Sequence, residues 1–329
     1  MAQKWRFGAV CSCFCSWKTA GTAHSTHIAQ YVSTVEMAEV LQSRQTMQTL
    51  LERLLSSDNN VRIQAELDFK HWMEINPDEF VFLLIQTAQD NTVVLPLRQS
   101  ALLHLKRVIP LYWSLAFDKF VGPNTISQDV KKIIRESLIK LIGDNDSRVR
   151  SSASYAIVQI AAVDYPDEWP DLLNILYATT VGENSSMYEI VGSLSVLQEI
   201  FDDVVTDEQL FEGSVGIEVL NTCESLLLSP KYNIEVKVET LRLLRSLCQS
   251  FLEADFSVGH REQFNDSVIP QIYELLLNIS RTITQQNATN QLFAWDLKHE
   301  LYQIISLLLN NMGELLNDHV MGSFEAVFN

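Results

Sequence analysis

One spacing pattern recurs five times along this 329-residue chain and constrains its fold more than any other feature. Each copy has an apolar residue, then a basic residue, then apolar or small residues at offsets of four, eight and eleven from the first. These offsets place the side chains on one stripe of an α-helix, so each copy predicts a packed helix. The copies are Val61, Arg62, Ala65, Phe69 and Trp72; Leu97, Arg98, Ala101, Leu105 and Val108; Val149, Arg150, Ala153, Ile157 and Ile160; Val236, Lys237, Thr240, Leu244 and Leu247; and Leu297, Lys298, Leu301, Ile305 and Leu308.

The residues that precede the stripes predict where these helices begin. Asp58, Asp146 and Asn233 stand three residues before their stripes, where a side-chain oxygen can accept from the first free N–H groups of a helix. The second copy has Val94 at this position and Pro96 in the expected first turn, where a missing N–H costs nothing.

Helical patterns of similar length lie between the stripes, which predicts that the helices come in pairs. The predicted partner helices are Met47–Leu55, Phe80–Ala88, Val130–Ile142, Trp169–Tyr177, Leu210–Leu228 and Phe264–Leu277. The longest gap between stripes leaves room for one more pair, with a degenerate stripe at Ile190, Leu194, Leu197, Phe201 and Val204. Irregular spacing of this kind is typical of HEAT repeats. The sequence therefore predicts an all-α protein, an α-solenoid or superhelical arch of about six HEAT repeats.

The basic residue that the five copies share has two interpretations. It is either a first-turn side chain that bonds a neighbouring repeat, or a side chain that contacts a binding partner. The first is the ordinary arrangement in stacked repeats, and we favour it.

The first 36 residues lack this pattern, and regular helical periodicity begins at Met37. Thiolates and imidazoles are zinc ligands, but the C-x-C-x-C spacing lacks the two-to-four-residue gap of structural zinc sites. The residues concerned are Cys11, Cys13, Cys15, His24 and His27. We interpret residues 1–36 as a disordered or non-native leader. A weak signal peptide is the alternative.

Composition argues against several classes of function. Acidic residues outnumber Lys and Arg by 41 to 24, giving a net charge of -17. Nucleic-acid binding needs basic residues to neutralise phosphates, so direct binding of nucleic acid is not expected. The chain has no run of 18 apolar residues, so membrane insertion is not expected either.

The signatures of catalysis are also absent. The chain has no G-x-S-x-G, no P-loop and no G-x-G-x-x-G sequence. We interpret its acidic pairs as solvated residues at helix ends, the second pair in a first turn that the helix dipole favours. These pairs are Asp202 with Asp203 and Asp207 with Glu208. His71 and His104 fall on predicted polar faces as surface histidines. We expect neither enzyme activity nor a cofactor nor a metal.

Three segments resemble successive helices of the importin-beta N-terminal domain. They are QAELDFKHW at Gln64–Trp72, LRQSALLHLKRVIPLYW at Leu97–Trp113 and DVKKIIRESLIKLI at Asp129–Ile142. AAVDYPDEWPDLL at Ala161–Leu173 is similar to the family's turn into the fourth repeat, in which Pro166 restrains the turn, Pro170 opens a helix and Trp169 is a buried anchor. The expected structural anchors are Trp72, Trp113, Pro166, Trp169 and Pro170.

The resemblance implies a domain division and a family. Residues 37–143 would be an importin N-terminal domain, and residues 144–329 would be further HEAT repeats of an array that is truncated at its C-terminus. The chain is thereby identified as an N-terminal fragment of a karyopherin-beta nuclear transport receptor. The segments Ser154–Leu173 and Glu199–Ile217 are most similar to the fungal importin-9 type, which carries core histones and TATA-binding protein.

The same resemblance implies a mechanism. An import receptor of this family binds basic protein cargo, releases it on binding Ran in its GTP form, contacts Phe-Gly nucleoporins, and shuttles between cytoplasm and nucleus through the nuclear pore. Ran would bind the second helices of the first repeats, on the concave side of the solenoid. The Ran-binding candidates are polar residues off the apolar stripe: Gln64, Asp68, His71, Lys106, Arg107, Tyr155 and Gln159. Simple solvation is the alternative interpretation of each. An exportin of the same family and a HEAT scaffold without transport activity are the alternative functions.

Overall fold

The computed structural model of the chain describes residues 42–123, 125–211, 215–254, 260, 264–285 and 291–316. The chain divides into two compact units, residues 1–47 and 48–329, and the packing described below is that of the second unit. These described residues contain helices and no strand, which confirms the all-α prediction. The predicted leader at 1–36, with its candidate zinc ligands, lies outside the described residues.

Thirteen α-helices are described, with one short π-helical segment before the twelfth. They are α1 (42–54), α2 (Asn59–Ile75), α3 (Pro77–Gln89), α4 (Leu95–Tyr112), α5 (Gln128–Leu141), α6 (Ser147–Asp164), α7 (Leu172–Val181), α8 (Met187–Asp203), α9 (Asp207–Phe211), α10 (Val215–Leu228), α11 (Ile234–Glu253), the π-helical segment Phe264–Val268, α12 (Ile269–Gln285) and α13 (Gln291–Leu316).

These helices form six repeats in the described part of the chain, which confirms the predicted HEAT-repeat solenoid. Repeat 1 ends with α2, and repeats 2, 3 and 4 are the pairs α3–α4, α5–α6 and α7–α8. Repeat 5 is α9, α10 and α11, and repeat 6 is α12 and α13. Each second helix from α4 onward packs against the next one, in the order α4, α6, α8, α11 and α13. The second helices from α4 to α13 therefore form a row along the array, in which each packs against the next.

Two predicted helix boundaries were wrong. Pro170 does not open α7, which begins at Leu172 after Asp171, whose φ of -83° and ψ of -1° already approach the helical region. Pro170 is instead an exposed residue of the preceding turn. The predicted helix Leu210–Leu228 is replaced by α9 and α10, and residues 212–214 between them lie outside the described residues.

The predicted helix starts are confirmed. Asp58 Oδ1 accepts from the Asn60 N–H at 2.8 Å, and Asn233 Oδ1 accepts from the Val236 N–H at 3.0 Å. Asp146 caps α6 in the same way. The α4 helix has no side-chain cap at Val94 and carries a proline in its first turn instead. Because these bonds join residues within one turn, the local sequence is enough to specify them.

Burial of the apolar stripes supplies the core of the array. Ala101, Leu105, Ala153 and Ile157 are fully buried, as is the whole degenerate stripe of α8 except Val204. The stripe of α2 is less buried, and 36% of the Val61 surface is exposed. Hydrophobic burial of about 25 cal/mol per Å² therefore stabilises the inner repeats more than repeat 1.

Two arginines of the stripes, Arg98 and Arg150, bond the turns of their own repeats and reach the next repeat. Arg98 Nε donates to the Ala88 carbonyl at 2.8 Å, and its Nη2 forms an ion pair with Asp144 of repeat 3. Arg150 Nη1 donates to the Asp144 carbonyl at 2.8 Å, and its guanidinium lies 4.9 Å from the ring centroid of Tyr188 in repeat 4. For Arg98 and Arg150 the first interpretation of the shared basic residue is confirmed.

Repeats 2, 3 and 4 meet at a set of residues that we call the tryptophan junction: Trp113, Arg135, Asp164 and Trp169. Trp113 is fully buried at the end of α4, and its Nε1 donates to Asp164 Oδ2 at 2.8 Å. Arg135 of α5 pairs with the same carboxylate and lies between the two indoles, 5.7 Å from the Trp113 centroid and 5.5 Å from that of Trp169. The junction thus combines a buried ion pair with aromatic walls.

The last two described repeats meet at a second set, the glutamate junction: Arg242, Arg245 and Glu300. Arg242 Nε on α11 donates to Glu300 Oε1 on α13 at 3.1 Å. Arg245 Nε lies 3.3 Å from Glu300 Oε2, but the two atoms form no hydrogen bond. Here the carboxylate is buried and both arginines are partly exposed.

No described helix is both long enough and apolar enough to cross a membrane. Among the described residues, no three His, Cys, Asp or Glu side chains come together as a group that could hold a metal ion.

Candidate functional site

The Ran-binding candidates lie on the solvent-facing stripes of α2, α4 and α6, which we call the second-helix face. Gln64, His71, Arg107 and Tyr155 are exposed, whereas Asp68, Lys106 and Gln159 are half-buried. On each helix the stripe opposite the core is left to solvent, so these side chains follow from the same periodicity that buries the apolar stripe.

Two of the candidates on α2 are bonded to each other. Gln64 Nε2 donates to Asp68 Oδ1 at 3.0 Å, and Arg53 Nη1 lies 2.7 Å from Asp68 Oδ2. The hydrogen bonds from Gln64 and Arg53 lower the pKa of Asp68, so its carboxylate stays charged. Asp68 is therefore already engaged with Arg53, which weakens its candidacy as a partner contact.

Lys106 and Tyr155 come together across neighbouring repeats. Lys106 Nζ of α4 lies 4.4 Å from the centroid of the Tyr155 ring on α6, within the range of a cation–π contact. The Tyr155 side chain remains 45% exposed, so a partner can still reach the ring. Arg107 follows Lys106 on α4 and is exposed. The structure thus brings two of the candidates, Lys106 of repeat 2 and Tyr155 of repeat 3, into contact.

Glu199 is a polar residue near this contact that was not among the candidates predicted from the sequence. Ser154 Oγ donates to Glu199 Oε1 at 3.4 Å, which links α6 to α8. Burial raises the pKa of Glu199 to about 7, because a half-buried carboxylate loses hydration when it is charged. The hydrogen bond from Ser154 opposes this shift, as does, to a smaller extent, the charge on Lys106. The degenerate stripe of α8 lacks the basic residue that marked the other second helices, so nothing in the repeat drew attention to it.

His104 is not a surface histidine, although the sequence predicted that it lies on a polar face of its helix. Its ring centroid lies 4.8 Å from that of Phe69, in the preceding repeat, and it is half-buried. Burial, with a smaller contribution from the charge of Arg107, lowers the pKa of His104 to about 4. The prediction failed because helical periodicity identifies the polar side of one helix but not what the neighbouring repeat places against it. His71, by contrast, is exposed.

The predicted anchors occupy two kinds of position. Trp113 is fully buried and Trp169 is 6% exposed, both within the tryptophan junction. Trp72 is half-buried and meets Phe80 edge-on, with centroids 5.5 Å apart. Pro166 and Pro170 are exposed in the turn that leads to α7. The proline positions shape the chain direction, whereas the indoles contact neighbouring helices.

The acidic pairs lie as expected at helix ends. Asp202 and Asp203 are exposed at the end of α8. Asp207 and Glu208 form the first turn of α9. A helix N-terminus stabilises such negative charge.

Comparison with known sequences identifies a shared domain that spans most of α2 and the whole of α3, α4 and α5. Residues 65–144 match the importin-beta N-terminal domain. Importin subunit beta-5 of Saccharomyces cerevisiae is 32% identical over 224 residues, which cover 67% of this chain and 22% of that protein. Importin-9 of Drosophila melanogaster is 28% identical over 81% of this chain and 25% of its own length. The chain thus spans about a quarter of these relatives. Exportin-2 of Oreochromis niloticus is 29% identical over 41% of this chain and 13% of its own length.

Solved structures share the fold at low sequence identity. Kap95p in a structure with RanGDP has a TM-score of 0.64 at 18% identity, covering 86% of this chain and 31% of its own. Kap95 in a complex with Nup1 gives 0.65 at 19% identity, covering 86% and 32%. The exportin Cse1 in its cargo-free, cytoplasmic state gives 0.63 at 16% identity, covering 87% and 31%. These likenesses establish the HEAT-repeat fold of the chain.

Proposed function

Because the chain belongs to the karyopherin-beta family of nuclear transport receptors, we propose that it acts in nuclear import, binding basic protein cargo and releasing it on binding Ran-GTP. The observation that carries this proposal is the position of the second-helix face. Four of its seven candidate residues, Asp68, His71, Lys106 and Arg107, lie within residues 65–144, the segment that matches the importin-beta N-terminal domain. The importin relatives and the Kap95p structure with RanGDP support the assignment to Ran.

Within the second-helix face, the patch of Lys106, Arg107, Tyr155 and Gln159 is our preferred Ran contact. It offers two cations, an accessible ring and an amide on adjacent helices α4 and α6. Gln64 and Asp68 bond each other, so they contribute at most the edge of the contact, with His71 beside them. The role of every one of these residues stays a prediction.

The cargo proposal rests on charge. A net charge of -17 attracts basic proteins and raises their rate of encounter, an effect that salt weakens. Core histones and TATA-binding protein are the cargoes that we propose. The Kap95 complex with Nup1 supports a further proposal, that Phe-Gly nucleoporins bind this chain as it shuttles between cytoplasm and nucleus through the nuclear pore.

Charge reversal tests the Ran contact. The double variant Lys106→Glu/Arg107→Glu changes the patch without touching the buried neighbours Leu105 and Val108. We expect affinity for Ran-GTP, measured by calorimetry, to fall about tenfold or more, because attraction becomes repulsion.

The matched control is Lys132→Glu/Lys140→Glu, which makes the same charge change at exposed positions of the first helix α5. It should bind Ran-GTP as the parent does. Equal binding by both double variants would remove Lys106 and Arg107 from the contact, and circular dichroism must show unchanged helicity.

The likeness to exportin-2 and Cse1 supports one alternative, that the chain acts in export. Linkage separates the two functions, because Ran-GTP and cargo affect each other's affinity reciprocally. Added Ran-GTP should weaken binding of a basic cargo in an importin and strengthen binding of cargo in an exportin. A HEAT scaffold without transport activity would show no response to Ran-GTP.

A further inference from the structure

Three large apolar side chains stand on the second-helix face, at the same position of three successive second helices. Leu67 of α2, Leu103 of α4 and Tyr155 of α6 each follow the first residue of their stripe by six positions. Leu67 is 57% exposed and Leu103 is 42% exposed, in the same range as Tyr155. We call these three residues the apolar row.

The apolar row occupies a position that helical periodicity turns away from the core. In repeats 5 and 6 the same position holds the polar residues Arg242 and Gln303. Arg242 there bonds Glu300 of the following second helix. Among the five stripes the position is therefore apolar only in repeats 1 to 3, and core packing does not explain it, because all three side chains are exposed.

Contacts between the helices bring the three positions beside one another. Phe69 of α2 meets His104 of α4 with ring centroids 4.8 Å apart, which places α2 beside α4. Lys106, one turn after Leu103 on α4, lies over the Tyr155 ring of α6. Because α4 packs against α6 and packed helices lie about 8–10 Å apart, one partner surface can cover Leu103 and Tyr155 together.

The charge around the apolar row is opposite to the net charge of the chain. The helices α4 and α6 carry the cations Arg98, Lys106, Arg107, Arg148 and Arg150. Their one acidic residue is Asp164, which is buried and pairs with Arg135. Lys106 and Arg107 follow Leu103 by three and four positions, so they adjoin it on the surface of α4.

The next second helix has the opposite charge. The sequence of α8 contains acids and no Lys or Arg, and its acids are Glu189, Glu199, Asp202 and Asp203. The positive part of the row of second helices therefore ends where α6 meets α8, and the apolar row lies on the positive side of this boundary.

We propose that the apolar row is a docking surface for a protein whose surface presents an apolar side chain flanked by carboxylates. Leu103 and the Tyr155 ring form the apolar centre of the contact, and Leu67 extends it onto α2. Lys106 and Arg107 attract the carboxylates. For Ran-GTP as that partner, the inference rests on the function proposed above.

The two kinds of side chain have different parts in this contact. A few apolar or aromatic side chains at the centre of a protein interface carry most of the affinity, because a partner removes them from water. The charges at the rim raise the rate of encounter and discriminate between partners. An acidic surface is therefore favoured here, and like charge disfavours docking of a basic protein on this part of the face.

The first test measures binding of Ran-GTP to the full chain by calorimetry. Leu103→Ala and Tyr155→Ala should each weaken binding about fivefold to tenfold, and the double variant should weaken it further. The control is Leu115→Ala, at a 77% exposed position between α4 and α5, which should bind as the parent does. Because these side chains are exposed, the midpoint of urea unfolding should change little in any of the variants.

Salt separates the apolar part of the contact from the charged part. The loss of affinity in Leu103→Ala should be the same at low and at high salt. The loss in Lys106→Glu/Arg107→Glu should shrink as salt screens the charges. A loss in Leu103→Ala that disappears with salt would overturn the apolar role of the row.

The second test needs no protein partner. Anilinonaphthalene sulfonate is an anionic aromatic dye and Nile red is a neutral one, and both fluoresce on apolar protein surfaces. Each dye should bind Leu103→Ala/Tyr155→Ala more weakly than the parent, whereas Lys106→Glu/Arg107→Glu should weaken binding of the anionic dye only. Leu115→Ala is again the control. Equal binding of both dyes by the parent and Leu103→Ala/Tyr155→Ala would overturn the proposal.

Failure of the docking surface and failure of the proposed function give different results. If Ran-GTP binds the parent and Leu103→Ala/Tyr155→Ala equally, the docking proposal falls and the proposed function stands. If Ran-GTP does not bind the parent, the proposed function fails and the dyes decide. Weaker binding of the anionic dye by Leu103→Ala/Tyr155→Ala then keeps the docking surface for another acidic protein, and unchanged binding removes it.

Discussion

The tryptophan junction and the glutamate junction hold neighbouring repeats together with the same chemistry in two different environments. In both, an arginine meets a carboxylate that is nearly out of contact with solvent: the side chain of Asp164 is 2% exposed and that of Glu300 is 8% exposed. The arginines differ, since Arg135 is 12% exposed and Arg242 is 38% exposed. Two indoles enclose Arg135, whereas water reaches Arg242.

This difference sets how much each junction depends on its ion pair. Removing one partner of a buried pair leaves an uncompensated charge, and the cost falls when solvent can hydrate what remains. Stability should therefore be concentrated where repeats 2, 3 and 4 meet, beside the second-helix face. The four predictions below test this contrast, starting with the largest expected effect.

Asp164→Ala should be the most damaging change. It removes the acceptor of the Trp113 indole and the carboxylate that pairs with Arg135, whose mostly buried guanidinium keeps its hydrogen bond to the Glu168 carbonyl but loses its counter-charge. We expect urea unfolding to report a loss of about 4 kcal/mol. Asp167→Ala, at an exposed position in the same turn, is the control and should be nearly neutral. Similar losses for the two variants would show that the buried pair contributes little.

Trp169→Ala removes one aromatic wall of the same junction while keeping the ion pair. The side chain is buried, so its truncation should cost about 3 kcal/mol and admit water to Arg135. Thermal and urea unfolding measure the loss, and Trp295→Ala, at a 70% exposed position, is the matched control. If the two variants unfold alike, Trp169 is not an anchor between repeats.

Glu300→Ala should be milder than Asp164→Ala. The two arginines that face Glu300 are each 38% exposed, so water can hydrate them once the carboxylate is gone. We expect a loss of about 2 kcal/mol in urea unfolding. The comparison uses the difference between the two variants, and a greater loss for Glu300→Ala would reverse the ranking of the junctions.

Repeats 1 and 2 meet at the neutral imidazole ring of His104. This contact predicts a small dependence of the free energy of unfolding on pH. His104 has a folded-state pKa lowered to about 4, so between pH 6.5 and pH 4 the unfolded chain binds a proton that the folded chain does not. This contribution to stability is fully present above pH 6.5 and is lost as the pH falls. Urea unfolding should show a loss of about 1 kcal/mol at about pH 6 that His104→Phe removes.

Glu199 acts in the opposite direction over part of this range. Its folded-state pKa is raised to about 7, so its contribution is present below about pH 4.5 and is lost as the pH rises through 7. The prediction for His104 is therefore the difference between parent and His104→Phe at each pH. Parallel curves for the two proteins would show that His104 titrates normally.

The parts of the fold that depend on short-range chemistry could be predicted from the sequence. The caps at Asp58, Asp146 and Asn233 join residues within one turn, and the buried stripes follow from helical periodicity. The helix pairs follow because each stripe needs an apolar partner. Local spacing was sufficient for these features.

The features that depend on how repeats stack could not be predicted in the same way. Gly192 is one example: a Cβ there would lie 1.9 Å from the Ile142 carbonyl oxygen, because α8 crosses the end of α5 at that point. No pattern within α8 announces this contact. The roles of Asp164 and Glu199 were not predicted for the same reason. The partners of Asp164 lie 29 and 51 positions away along the chain, and the partner of Glu199 lies 45 positions away.

In the candidate site, too, features set within one helix could be predicted, whereas contacts between repeats could not. Periodicity was enough to place Lys106, Arg107 and Tyr155 on solvent-facing stripes, but not to show that Lys106 would lie on the Tyr155 ring or that Asp68 would pair with Arg53. It also misplaced His104, whose environment is made by Phe69 of another repeat. Contacts between repeats, rather than the helices themselves, are what the structure adds.

Calorimetric titration of the parent chain with Ran, loaded in parallel with a non-hydrolysable GTP analogue and with GDP, tests the central claim most directly. The proposed function requires the chain to prefer the GTP form of Ran, so its affinity should be at least about tenfold higher for that form. Equal affinity for the two forms, or no binding to either, would contradict the proposal that the second-helix face of this chain is a Ran-GTP site.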